Sequence, residues 1–133
     1  MTDHLCYFPD IMPTLAELAG LDRPTQTDGI SFVPLLLGED AAGRKQEEHK
    51  ALFWESRGSM AMRLGNWKAI KPKANREFEL YDLSKDLQEL DNIADQHPEI
   101  MAKVQQVVEI CYTPERPGQV LDENVGFKNH TAK

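Results

Sequence analysis

Two short apolar segments joined by a glycine-containing dipeptide constrain the fold of this chain more than any other feature. Residues 60–64 and 67–71 flank Gly65-Asn66. Glycine in the first of two turn positions is typical of a β-hairpin, because the backbone there takes a conformation that glycine adopts without strain. The sequence therefore predicts an antiparallel strand pair with a defined register. The predicted partners are Leu64 with Trp67, Met62 with Ala69, and Arg63 with Lys68.

A helix is predicted close to the N-terminus. Asp10 can cap it, Pro13 falls in its first turn, and Gly20 ends it. A short helical turn over residues 31–38 and a charged surface loop over 39–50 follow. One apolar stripe runs along the first helix at positions i, i+4 and i+7: Ile11, Leu15 and Leu18.

A longer helix is predicted to begin at Pro98 and to stop before Pro114 and Pro117. Two more strands, over residues 51–55 and 78–83, join the hairpin. Because helices enclose a run of strands, we expect an α+β fold in which a small antiparallel sheet packs against the C-terminal helix, with an additional N-terminal helix. Apolar residues at helical spacing mark that C-terminal helix: Ile100, Val104, Val107, Val108 and Cys111.

Length and charge narrow the classes of function. The chain has 133 residues, and 15 basic against 22 acidic side chains give a net charge of −7. This balance argues against a nucleic-acid or anionic membrane surface as partner. No apolar run approaches the roughly 20 residues of a membrane span. The N-terminus has no signal-peptide pattern, so a cytoplasmic location is expected for the chain as written.

Clusters that could hold a metal or a nucleophile are not evident in the sequence. The four histidines are scattered, and no zinc-binding spacing occurs. Asp82 and Asp86 resemble the start of a calcium loop, but Leu87 stands where that loop requires glycine, so we interpret both carboxylates as turn formers. Cys6 and Cys111 lie far apart and are expected to be free thiols. We therefore predict no catalytic and no metal-binding residue.

Five residues remain as candidates for substrate binding. Trp54, Glu55 and Arg57 combine an aromatic plane, a carboxylate and a guanidinium, as carbohydrate pockets do. The alternative is a core tryptophan beside a surface ion pair. Arg63 and Lys68 are cross-strand neighbours that could face a sulfate or carboxylate. The alternative here is neutralisation of both cations by nearby acidic side chains.

Several motifs together resemble the C-terminal part of the sulfatase (arylsulfatase-like) family. Residues 10–20 are similar to its D-x-x-P-T-L-x-x-x-A-G stretch, and residues 28–36 to its D-G-x-S-L-x-P-L-L stretch. Further motifs follow in the family's order: Phe53-Trp54-Glu55, Ala61-x-Arg63-x-Gly65-Asn66-Trp67-Lys68, Leu80-Tyr81-Asp82-Leu83 and Asp86-x-x-Glu89-x-x-Asn92-Ile93-Ala94.

The resemblance implies a portion of a sulfuric ester hydrolase without its catalytic centre. Sulfatases use a C-x-P-S-R or S-x-P-S-R signature, whose Cys or Ser becomes a formylglycine nucleophile, together with calcium. Neither Cys6 nor Cys111 lies in that signature. We therefore expect this chain to hold no cofactor and to be inactive alone. The resemblance also divides the chain into an N-terminal segment (1–38), a C-terminal sulfatase subdomain (39–118) and an irregular tail (119–133).

Two other functions remain open. The chain could be a non-catalytic interaction or oligomerisation module. In the family the first helix packs on the large domain, so the stripe of Ile11, Leu15 and Leu18 would otherwise be open for a second copy or for a sulfatase catalytic domain. A stand-alone hydrolase is disfavoured, because the sequence offers no nucleophile beside a base.

Overall fold

The chain divides into two compact units, Met1–Leu52 and Phe53–Lys133. A computed structural model describes residues 3–113. The two prolines that are predicted to end the last helix, Pro114 and Pro117, lie outside the described residues. The irregular tail predicted over residues 119–133 lies outside them as well. None of the helices among residues 3–113 combines the length and the hydropathy that a membrane span requires.

The first unit is built from short helices. A 3₁₀ turn, Phe8–Asp10, leads into α1 (Ile11–Leu18), and α2 (Val33–Leu37) and α3 (Glu39–Ala42) follow. Gly20 takes a φ of 72° just beyond α1, and the amide of Leu21 donates to the carbonyl of Ala16, which closes the helix end as predicted.

Two predictions for the first unit are wrong in detail. The carboxylate of Asp10 does not cap α1, because it is buried and accepts hydrogen bonds from other segments. Residues 39–50 are not only a loop, since α3 forms there and Arg44 binds Glu17 of α1. Residues 39–52 belong to the first compact unit.

The second unit contains the predicted antiparallel sheet. Its four strands lie in chain order: β1 (Leu52–Ser56), β2 (Ser59–Leu64), β3 (Trp67–Lys71) and β4 (Glu79–Asp82). Gly65 takes a φ of 59° at the β2–β3 turn, in the left-handed region that glycine tolerates. The register pairs Leu64 with Trp67, Met62 with Ala69 and Arg63 with Lys68, which confirms the prediction.

One face of the sheet forms the core of this unit with α4 (Pro98–Cys111). Met62, Ala69 and Leu80 lie in one row across three strands and are fully buried. Ile100 and Val104 fill the helix side of the same cluster. The predicted α+β class is therefore confirmed. Cys111 is exposed rather than part of the buried stripe, since the buried residues of α4, Ile100 and Val104, lie in its first two turns.

Candidate functional site

The turn between β1 and β2 carries one of the predicted substrate-binding residues. Arg57 and Gly58 form a two-residue connection and take φ values of 51° and 77°. Positive φ at both positions is the requirement of a type I′ hairpin turn, which matches the twist of the strands. Arg57 is thus fixed at the tip of a tight hairpin, with its side chain exposed to solvent.

Trp54 and Glu55 do not share a face of the sheet. Successive side chains of a strand point to opposite faces. Phe53 packs against the core cluster, so Glu55 lies on the core side near the strand end and Trp54 lies on the other side. Both side chains are exposed, Trp54 to 42%. Trp54 and Glu55 therefore do not line a common pocket.

Trp54 instead shares its face with the predicted cations. Strand register places Arg63, Lys68 and Tyr81 in one row across β2, β3 and β4, on the side of the sheet away from α4. We call the surface formed by Trp54, Arg63, Lys68 and Tyr81 the outer face.

The two cations of the outer face have partners within the chain. The Nζ of Lys68 lies 2.5 Å from Oε1 of Glu89, and both side chains are about three-quarters buried. The guanidinium of Arg63 donates from Nε and Nη2 to the carbonyl oxygen of Gly65, at 3.2 and 3.0 Å. Among residues 3–113, no carboxylate pairs with Arg63, whereas the charge of Lys68 is balanced by Glu89.

Tyr81 is the buried member of the outer face. Its hydroxyl donates to Oε2 of Glu79 at 2.9 Å, and only 7% of the residue is exposed. Burial of the phenol, followed by the hydrogen bond and negative charge of Glu79, raises the pKa of Tyr81 to about 12. The charges of Glu89 and Asp86 act in the same direction.

Asp82 and Asp86 stabilise the turn that follows β4. Asp82 accepts from the amide and hydroxyl of Ser84, which with Lys85 lowers the pKa of its carboxyl. Asp86 accepts from the amides of Asp91 and Leu90, and these bonds lower its carboxyl pKa. The interpretation as turn formers is confirmed. Among residues 3–113, no three His, Cys, Asp or Glu side chains are grouped as a metal site would require.

A buried polar junction in the first unit was not predicted. The Oδ2 atom of Asp10 accepts from the amide of Tyr7 at 2.9 Å. Its Oδ1 atom accepts from the amide of Ile30 at 2.7 Å and pairs with Nε2 of His49 at 2.9 Å. Only 1% of the Asp10 side chain and 6% of the His49 side chain are exposed. The carboxylate therefore joins three separate parts of the unit.

Close backbone packing explains one glycine at this junction. A Cβ atom on Gly29 would lie 2.1 Å from the carbonyl oxygen of Pro9. Only glycine allows residues 28–30 to approach the segment before α1 closely enough for Ile30 to reach Asp10. The ring of Tyr7 completes the junction with an edge-on contact to His49, with 4.9 Å between ring centroids.

Sequence spacing could not have found the Asp10–His49 pair, because 39 residues separate the two. A signal was nevertheless present in the Asp28-Gly29 dipeptide. An Asp-Gly dipeptide marks a turn or loop, and glycine there permits the backbone to approach another segment closely.

Comparison with known proteins identifies the family. The family model described as N-sulphoglucosamine sulphohydrolase, C-terminal, matches residues 1–111. The chain belongs to the sulfatase family. An uncharacterized sulfatase of Schizosaccharomyces pombe is 34% identical over 96% of this chain, and arylsulfatase K of Mus musculus is 34% identical over 73%. A solved 2-O GAG sulfatase has a TM-score of 0.62 and 28% identity over 76% of this chain.

This sulfatase-family chain spans only part of the length of these relatives. It covers 25% of the Schizosaccharomyces pombe protein, 19% of arylsulfatase K and 23% of the solved 2-O GAG sulfatase. What is shared is therefore the C-terminal portion of the family, as the resemblance in the sequence implied.

Replacing the buried carboxylate should weaken the first unit. Asp10→Asn keeps the shape but turns an amide nitrogen towards groups that donate, so at least one buried donor loses its acceptor. We expect a loss of about 1–3 kcal/mol in unfolding free energy. Hydrogen exchange should show faster exchange at the amides of Tyr7 and Ile30. The control is Asp22→Asn at an exposed position, and equal protection in both variants would contradict the junction.

Tyr81 should ionise at a higher pH than an unperturbed tyrosine, and its ionisation should destabilise the folded state. The neutral phenol is favoured in the folded state, so its stabilising contribution is complete below the unfolded pKa of about 10 and is lost as the pH rises towards about 12. The difference in tyrosinate absorbance between the natural chain and Tyr81→Phe isolates this titration. Glu79→Gln should lower the midpoint. A Tyr81 midpoint near 10 in the folded chain would refute the assignment.

Proposed function

We propose that this chain is the non-catalytic C-terminal portion of a sulfuric ester hydrolase and has no sulfatase activity by itself. One combined observation carries the proposal. Residues 1–111 match a C-terminal sulfatase family, whereas the 133 residues contain no C-x-P-S-R or S-x-P-S-R nucleophile signature. The two cysteines that could otherwise serve, Cys6 and Cys111, are exposed and stand outside any such motif.

The cofactors of the family are assigned to the catalytic portion and not to this chain. In sulfatases a formylglycine hydrate attacks the sulfur of the ester and calcium binds beside it. The described residues do not fit such a calcium site, since residues 3–113 bring no three suitable ligands together. The aspartates nearest to a calcium pattern, Asp82 and Asp86, are already engaged by turn hydrogen bonds.

The proposed contribution of this chain is one edge of the substrate site. Trp54 and Arg63 lie on the same outer face, where an indole plane can stack on a sugar or aryl ring and an uncompensated guanidinium can bind an anion. Arg57 adds a second cation at the hairpin tip, whereas Glu55 lies on the core side of the sheet and is left out of this edge. Lys68 acts by holding Glu89 rather than by binding substrate directly.

An activity assay tests the inactivity of the isolated chain. The purified chain, supplied with calcium and a chromogenic aryl sulfate, should give no turnover above the buffer blank, because no nucleophile is present. An intact arylsulfatase assayed in parallel shows that the conditions support the reaction. Turnover that copurifies with the chain through a second purification would contradict the proposal.

Removal of single side chains tests the substrate edge. The assay uses a mixture of this chain with the catalytic portion of mouse arylsulfatase K, which is produced without the segment that matches this chain. Trp54→Ala and Arg63→Ala should each raise KM about tenfold and leave kcat nearly unchanged, because stacking and ion pairing at an edge bind substrate and transition state alike. The matched control is Leu87→Ala, whose side chain is 79% exposed elsewhere in the unit. Unchanged KM in Trp54→Ala and Arg63→Ala would exclude the outer face from the site.

A second candidate function, an interaction or oligomerisation module, is favoured by one observation. Ile11, Leu15 and Leu18 of α1 are all exposed, between 43% and 59%. Contiguous exposed apolar side chains are typical of interaction surfaces.

A further inference from the structure

The β1–β2 turn and the β3–β4 connection lie against each other at one end of the sheet. A Cβ atom on Gly58 would lie 3.3 Å from the Cβ atom of Ala74. The hydroxyl of Ser59 donates to the carbonyl oxygen of Pro72 at 2.6 Å. Because β2 and β3 are antiparallel, the start of β2 and the end of β3 share this end of the sheet. The two loops therefore form one continuous surface of the second unit.

Three exposed cations are placed on this surface. Arg57 occupies the first position of the β1–β2 turn, directly before Gly58. Lys73 and Arg76 lie at the two ends of a turn that contains Ala74, and the amide of Arg76 donates to the carbonyl oxygen of Lys73 at 3.0 Å. Long side chains on backbone segments that pack together can reach a common ligand. We call Arg57, Lys73 and Arg76 the basic junction.

No carboxylate neutralises the basic junction within residues 3–113. The lysines and arginines of this range that form ion pairs are four others: Arg23, Arg44, Lys68 and Lys85. Glu55 and Glu77 are close to the junction in the sequence, but neither takes part in these pairs. Like charges that are grouped without a counter-charge repel one another, so binding of an anion would relieve the repulsion.

The backbone at Arg57 is unfavourable for an arginine. Its φ of 51° lies in the left-handed region, where the Cβ atom of most residues crowds the following carbonyl group. Asn, Asp and Gly are preferred at this position of a type I′ turn. Residues that are held in such conformations cluster at functional sites. A cation thus stands at the hairpin tip against the local preference of the turn.

We propose that the basic junction binds a doubly charged phosphate group, as inorganic phosphate or as a phosphomonoester. Guanidinium groups such as those of Arg57 and Arg76 bind phosphate oxygens in pairs, and Lys73 adds a point charge. A phosphomonoester carries a charge of about −1.5 to −2 at pH 7, which suits three cations on a small surface.

A compact anion fits this surface better than a long polyanion does. Glu55 and Glu77 are exposed and flank the junction in the sequence, and the whole chain has a net charge of −7. A polymer that extends beyond the junction would meet these negative charges, which repel it. A single phosphate group does not extend that far. The inference is independent of the proposed function, with which it shares only Arg57.

Titration of the isotope-labelled full chain, followed by the NMR shifts of its amides, tests the proposal at neutral pH and low ionic strength. Inorganic phosphate and phenyl phosphate should each cause saturable shifts at residues 57–59 and 73–76. Phenyl sulfate should bind about tenfold more weakly than phenyl phosphate, because it has a similar shape and a smaller charge. Equal affinity for the two phosphates would assign binding to the phosphate group alone, and tighter binding of phenyl phosphate would assign a contribution to the ester.

Two variants remove charge from the junction. Arg57→Asn should weaken phenyl phosphate binding about tenfold, whereas its melting temperature should stay the same or rise, because Asn suits the turn. Arg76→Gln should weaken binding to a similar extent. The matched control is Lys103→Gln, which removes a charge from an exposed position of α4 and should bind like the natural chain.

Several results would overturn the phosphate site. They are the absence of saturable shifts at the two loops, unchanged affinity in both Arg57→Asn and Arg76→Gln, and equal affinity for phenyl phosphate and phenyl sulfate. Tighter binding of dextran sulfate than of phenyl phosphate at the same amides would also overturn it, because the ligand would then be an extended polyanion.

Discussion

The first unit depends on one buried carboxylate. Asp10 is almost fully enclosed, and an unpaired carboxylate in such a place would be strongly destabilising. It is tolerated because two amides and an imidazole from three segments point at its oxygens. These donors come from residues 7, 30 and 49, so a unit with few buried apolar residues is held together by hydrogen bonds. The same arrangement determines which side of α1 faces inward.

The second unit is organised in the opposite way. Its core is a row of apolar side chains across three strands, covered by Ile100 and Val104 of α4. Lys68, Arg63 and Tyr81 lie on the outer face, on the side of the sheet away from this core. There Lys68 is held by Glu89, which itself takes a left-handed φ of 57°. Within the described part of the chain, Arg63 on the same face has no such partner, so an anion would meet Arg63 and not the Arg63–Lys68 pair that the sequence suggests.

Local signals explain why much of this fold could be predicted. The two-residue Gly65-Asn66 turn determines the register of β2 with β3. The helical spacing of Ile100 and Val104 specifies α4 without reference to distant residues. The contacts that were missed join residues far apart in sequence. Glu89 and Lys68 are 21 residues apart in the sequence, and His49 and Asp10 are 39 residues apart. Neither separation matches the spacing of a recognisable sequence motif. The opposite faces of Trp54 and Glu55, in contrast, follow from strand alternation alone.

A helix that faces outward with its apolar side also limits the stability of the first unit. Burying a leucine or isoleucine contributes about 1.5–3 kcal/mol, whereas a typical hydrogen bond contributes about 1 kcal/mol. Because Ile11, Leu15 and Leu18 are exposed, the first unit is stabilised by its hydrogen bonds and not by burial of these three side chains. A partner that covers this stripe would therefore stabilise the folded unit as well as bind to it, because ligands that bind only the native state shift the folding equilibrium. Folding of the first unit and binding of any partner that covers this stripe would be coupled through the same helix.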